Sequence, residues 1–96
     1  MRHQSATAHE LARIAELAGL SGETLTRLGE QMERRELAPG ETLEASAQFG
    51  VVLAGMVRGT VGLLRPGDTF ADSVTAMTPA TVATCDREVY VSLTSG

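Results

Sequence analysis

Tryptophan and lysine are absent from this chain, and its only aromatic residues are Phe49, Phe70 and Tyr90. With so few rings the interior has to be aliphatic, built from Leu, Val, Ala and Met. A single cysteine, Cys85, excludes an intramolecular disulfide and fits a reducing cytoplasm. A catalytic thiol would need a base beside it, but both histidines, His3 and His9, lie in the N-terminal segment, so Cys85 reads as a buried structural residue. The same lack of histidine after His9 argues against a metal-dependent enzyme of the cupin type, which needs His and carboxylate ligands on its strands. No apolar run approaches the ~18 residues of a membrane-spanning helix. The opening "MRHQSATAHE" has no apolar core and is not a secretory signal. Positive charge is scarce as well: eight arginines face twelve acids, for a net charge of −4. That balance argues against nucleic-acid or acidic-membrane surfaces, which need a basic patch. These absences predict a cytoplasmic protein that is not an enzyme and has no metal or cofactor.

The 96 residues make one domain, 1–96, read as a helical lead-in over 1–36 and a β-region over 37–96. A chain of this size buries about two-thirds of its unfolded surface. Met1 followed by a polar lead-in reads as a natural start. The spacing of Leu11, Ile14, Ala15 and Ala18 predicts a helix over 7–18, begun by a Thr7–Glu10 capping box and stopped at Gly19. A second helix is predicted over 22–33, capped by Ser21, with Leu25, Leu28 and Met32 on one face. Glu23 with Arg27, and Glu30 with Arg34, are spaced as i,i+4 ion pairs on its solvated side.

After Met32 the period changes. "FGVVLAG" reads as a buried strand, "ATVATC" as a second, and "VYVSL" as a third with Val89, Val91 and Leu93 on one side. Leu37 onward is therefore expected to be nearly all strand and turn. Two segments echo one another: "LAPGETL" from Leu37 and "LRPGDTF" from Leu64 both fit the pattern L-x-P-G-acid-T-apolar. Each suits a type II turn, with Pro setting φ and Gly accepting a positive φ, leading into a strand start. Tandem strand–turn–strand units of this kind predict a small jelly roll or double-stranded β-helix. The expected core is Leu11, Ile14, Leu28, Leu37, Leu43, Val52, Leu53, Phe70, Val82, Val89, Val91 and Leu93.

The order of two short helices, "LAPGETL", "FGVVLAGMVRG", "LLRPGDTFAD" and "TPATVATCDREVYVSL" resembles the cyclic nucleotide-binding domain family over roughly Leu11 to Leu93. The resemblance implies a helical lead-in before an eight-stranded roll, with Val52, Leu53, Gly55 and Val57 at its hairpin. It also implies a phosphate-binding cassette after Gly67, Asp68 and Phe70. In that family a Glu of the cassette accepts the ribose 2′-hydroxyl, an Arg pairs with the cyclic phosphate, and amides of a short helix complete the cradle. Carried onto this chain, the cassette covers Gly67, Asp68, Phe70, Ala71, Asp72, Ser73, Thr78, Ala80 and Thr81.

The departures fall on the functional positions. Ala71 stands where the family has Gly, Asp72 where it has Glu, and Thr78 where it has the Arg. A charged hydrogen bond is worth roughly 1.5–3 kcal/mol, and a bidentate Arg–phosphate contact makes two. Its loss weakens binding by about two decades or more. Pro79 removes a backbone donor beside the site. Only "TVGLL" separates Gly59 from Arg65, so the roll is near minimum size. The chain ends at Gly96, just after the expected last strand and without the helices that carry the family's signal. Asp68 and Asp72 also invite reading as an acid–base pair, but Asp is common after Pro-Gly, and Asp72 suits the cap of the cassette's short helix.

The expectation is a degenerate, minimal roll that serves as a regulatory or scaffold module. It would act as an accessory subunit with a protein partner, without cyclic nucleotide, nucleic acid or membrane insertion. The alternative is a cyclic-nucleotide or other small-ligand sensor. In that case Ser73, Thr75 and Thr78 would supply hydroxyls, and Arg65 or Arg87 would bring a cation from elsewhere in the fold.

Overall fold

The computed structural model describes residues 8–94. Thr7, and with it the expected capping box, lies outside them. The lead-in is not the two expected helices but three pieces: α1 (Ala8–Leu11), a 3-10 turn (Ala15–Leu17) and α2 (Gly22–Gln31). Ile14, extended at φ −85° and ψ 120°, breaks the helix expected over 7–18. The break brings Leu11, Ile14 and Leu17 inward together, each at most 1% exposed, while Ala15 and Ala18 face solvent. A helix this short has little stability of its own, so tertiary burial decides its path. α2 keeps closely to its pattern. Ser21 accepts a hydrogen bond from the Thr24 amide at 3.2 Å, Leu25, Leu28 and Met32 are buried, and Glu23 pairs with Arg27 at 2.9 Å. Arg34 does not pair with Glu30. It lies in the first strand and meets Glu10 at 3.0 Å, tying α1 to the roll.

Among the described residues, eight strands and one further helix complete the fold, the strands being β1 (Glu33–Leu37), β2 (Thr42–Leu43), β3 (Gln48–Ala54), β4 (Val57–Gly59), β5 (Gly62–Leu64), β6 (Thr69–Phe70), β7 (Val74–Ala76) and β8 (Ala80–Asp86). They form two antiparallel sheets, ordered β1-β8-β3-β6 and β2-β7-β4-β5. The sheets close on one another as a β-roll, and the expected mainly-β class holds. Leu37, Leu43, Val52, Val57, Leu64, Phe70, Val74 and Val82 fill the space between them. The helical pieces cover the other face of the first sheet, burying Phe49, Val51, Ala83 and Cys85 against Leu17, Leu28 and Met32. β3 and β8 are thus buried on both faces, which is why "FGVVLAG" and "ATVATC" read as continuous apolar runs rather than alternating ones.

The C-terminal segment differs from its sequence reading. "VYVSL" lies in a helix, α3 (Arg87–Thr94), directly after β8. A run of five apolar-rich residues fits period 2 and period 3.6 equally well, and packing arbitrates. Tyr90 stacks on Phe49, with ring centroids 3.7 Å apart and planes 7° from parallel. That contact leaves Leu93 half-buried near Tyr90 and turns Val91 outward, 49% exposed, with Val89 only half-buried. Val89, Val91 and Leu93 therefore leave the expected core, as does half-buried Leu53; the other eight of the twelve are buried.

Candidate functional site

The site region begins at the second Pro-Gly turn. Asp68 closes it twice. Its amide donates to the Arg65 carbonyl at 3.0 Å, and its carboxylate accepts from the Arg65 amide at 2.8 Å. Gly67 supplies the required positive φ, at 102°. The turn is fastened to β3 by a reciprocal pair, Gly67 N to Val52 O at 3.0 Å and Val52 N to Asp68 O at 2.9 Å. Asp68 is thus a turn-closing residue, and its acid–base reading has no support in this geometry.

Phe70 comes next, 8% exposed, opposite Gly50 in the β3–β6 ladder. Its ring lies over the Gly50 Cα, in the space a side chain at position 50 would fill. This close approach explains the glycine inside a buried strand. Beyond Phe70, residues 71–73 bend. The helix expected after Asp72 is not there: Val74–Ala76 forms β7, which pairs with β2 and β4. Val74 and Ala76 are apolar and buried, so this stretch meets the demand for an inward-facing strand.

β7 divides the cassette residues into two groups. Phe70, Ala71, Asp72 and Ser73 line a cavity of about 340 Å³ together with Glu16, Phe49, Gly59, Thr60, Val61, Leu64 and Thr69. Thr78, Ala80 and Thr81 lie past the other end of β7. The Thr78 hydroxyl accepts from the Met56 amide at 3.0 Å and donates to the Pro79 carbonyl at 3.1 Å. It therefore closes the β3–β4 corner beside Gly55. Ala80 packs between the sheets, and Thr81 pairs with both β1 and β3.

The electrostatics of the cavity are one-sided. Among the described residues that line it, Glu16 and Asp72 are acidic and none is an arginine. Thr69 donates its hydroxyl to Glu16 Oε1 at 3.3 Å, and Ser73 donates to Glu44 Oε2 at 2.7 Å. Arg87 approaches from α3, but its guanidinium donates to the Ala71 carbonyl at 3.1 Å. Arg65 stands outside the lining. A phosphate here would meet carboxylates where it needs cations and amides. Glu16 and Val61 carry no signal in the sequence, and Arg87, a candidate cation for this loop, reaches it as a donor to the Ala71 carbonyl. No local motif marks them, and only folding the lead-in and α3 against the roll brings them to the site.

Thiol chemistry finds no opening. Cys85 is buried between β8 and the helices, and burial, then the Asp86 charge, pushes its pKa up to about 11, so the thiol keeps its proton at neutral pH. Tyr90 is also raised, by burial and then by Glu16. Among the described residues, no three His, Cys, Asp or Glu side chains converge as metal ligands, and no helix is long and apolar enough to cross a membrane.

No family model matches the sequence, and no curated relative matches it. Solved structures do match. The regulatory domain of Toxoplasma gondii PKA with cAMP aligns over 92% of this chain and 44% of its own length, at TM-score 0.75 and 17% identity. The regulatory subunit of a cAMP-independent protein kinase A from Trypanosoma cruzi, bound to guanosine, aligns over 88% of this chain and 39% of its own, at TM-score 0.73 and 20% identity. A cyclic nucleotide-binding-like protein from Brucella abortus aligns over 93% of this chain and 97% of its own, at TM-score 0.66 and 15% identity. The chain thus spans about two-fifths of the kinase regulatory structures and nearly all of the bacterial one. At these identities the likeness is one of fold, and the fold is that of a cyclic nucleotide-binding domain.

Proposed function

We propose that this chain, as a single domain over 1–96, is a regulatory or scaffold module built on a cyclic nucleotide-binding-type roll. In this reading it is not an enzyme and has given up its hold on cyclic phosphate. It works in the cytoplasm as an accessory subunit that docks a protein partner, without cofactor, nucleic acid or membrane insertion. The observation that carries the reading is the division of the cassette by β7. The position where the family has its arginine is occupied by Thr78, which is committed to the β3–β4 corner, while among the described residues the charged lining of the cavity is carboxylate. Two structural neighbours are regulatory parts of kinases, which supports the regulatory half of the reading. One of them is described as cAMP-independent and bound to guanosine, a nucleoside with no phosphate, so a roll of this type can do without the phosphate contact.

The test is affinity capture from a lysate of the source organism, with and without millimolar cyclic AMP. The reading expects a stoichiometric protein partner retained equally in both. Release of that partner by cyclic AMP, or the absence of any stoichiometric partner, contradicts it. A second reading, that the module senses another small ligand, is favoured by one observation: the cavity persists although the phosphate machinery does not.

A further inference from the structure

We propose that the cavity between the 3-10 turn, the β4–β5 hairpin and residues 71–73 takes a small uncharged ligand with an apolar face and hydroxyl or amino donors, and rejects the same ligand once it carries a phosphate. The inference rests on the reading that this roll no longer holds a cyclic phosphate, and it names what the site accepts instead.

Three features point the same way. The first is Val61. It lines the cavity yet is 88% exposed, the most exposed large apolar side chain among the described residues. It occupies the two-residue loop between β4 and β5, close to Gly59 and next to Gly62 at φ 120°. A valine in that position leaves water when something apolar enters the cavity beside it. The second is the floor. Phe49, Leu64 and Phe70 are each under 9% exposed and present apolar surface to a volume of about 340 Å³, within the range of small-molecule sites. The third is the rim. Asp72 has no hydrogen bond or ion pair among the described residues, and Glu16 stands on the 3-10 turn with one hydroxyl donor, Thr69. Ionised carboxylates accept hydrogen bonds and donate none, so they select ligand donors and repel ligand anions.

The measurement is an amide chemical-shift titration of the full chain with adenosine, which has an apolar ring and hydroxyl and amino donors, and with cyclic AMP, the same body bearing a phosphate. Adenosine is expected to shift the amides of Val61, Thr69 and Asp72 saturably, and cyclic AMP to leave them in place. Val61→Ser should weaken adenosine about tenfold, the cost of roughly one buried valine contact, while the α2 amides stay where they are and report an intact fold. Asp72→Asn should weaken adenosine and narrow its advantage over cyclic AMP. The proposal fails if adenosine leaves these amides unmoved up to millimolar concentration, or if Val61→Ser binds it as well as wild type. If neither compound binds, only this inference falls. If cyclic AMP binds as tightly as adenosine, the phosphate-free reading of the roll falls with it.

Discussion

The two Pro-Gly turns are near copies whose surroundings differ. At the first, Gly40 has φ 86°, the Glu41 amide donates to the Ala38 carbonyl at 2.9 Å, and the Glu41 carboxylate accepts from the Ala38 amide at 2.9 Å. At the second, Gly67, Asp68 and Arg65 repeat every one of these contacts. Each turn also clamps one residue of another strand by a reciprocal pair of backbone bonds: Ala76 of β7 at the first, Val52 of β3 at the second. The echo in the sequence is thus an echo in three dimensions, one turn per sheet. The segments leaving the two turns diverge. Past the first turn, Leu43 enters the roll, and the next side chain, Glu44, accepts from Ser73. Past the second, Phe70 closes over Gly50, and Ala71 and Asp72 open onto the cavity. Turn geometry is dictated by four local residues, whereas the use made of the turn depends on what the rest of the chain brings to it.

The difference is sharpest at the residue two positions past each acid. Phe70→Ala should cost about 3–5 kcal/mol and Leu43→Ala about 2–5 kcal/mol in urea unfolding, since both are buried. In a 96-residue chain the first loss is a large part of the total stability. A double mutant isolates the Phe70 contact. Gly50→Ala should be destabilising on its own, because its methyl group needs the space of the Phe70 ring, and much less so when combined with Phe70→Ala. Additive losses would mean that the ring does not rest on Gly50.

Gly40→Ala and Gly67→Ala probe the likeness itself. Both glycines have positive φ, and no backbone or side chain crowds a methyl at either position beyond ordinary contact. The two substitutions should each cost about 1–2 kcal/mol, by the same amount. A marked inequality in their unfolding midpoints would break the equivalence of the turns. Smaller still is the closing side chain. Glu41→Ala and Asp68→Ala should each cost about 0.5–1.5 kcal/mol, toward the low end because both residues are exposed.

The parts of the fold that are legible in the sequence are those set by near neighbours. Ser21 and the spacing of Leu25, Leu28 and Met32 announce α2, and Pro39-Gly40 and Pro66-Gly67 announce two turns with the right sign of φ. β1 begins at Glu33, inside the expected lead-in, because "ERREL" is an edge strand in which Glu33, Arg35 and Glu36 face solvent and no apolar alternation marks it. The lead-in helix is misread where Ile14 gives up helical geometry to reach the core. "VYVSL" is misread because the Phe49–Tyr90 stack, a contact across 41 residues of sequence, selects the helix. The missing cation is visible as Thr78, but its placement is not. That Thr78 bonds the Met56 amide, and that β7 replaces a short helix, are consequences of strand pairing. This placement also determines what a repair would do. Thr78→Arg combined with Asp72→Glu and Ala71→Gly should confer no cyclic-nucleotide binding, because an arginine at 78 starts beyond three residues of strand, about 10 Å from the cavity loop.

The central claim is that the second turn leads into a cavity unable to hold a cyclic phosphate. Isothermal calorimetry of the unmodified chain with cyclic AMP and cyclic GMP tests it most directly. Neither compound should give measurable heat at sub-millimolar ligand. Micromolar binding of either would contradict it, and would place the phosphate on Arg87, Arg65 or the amides of residues 71–73.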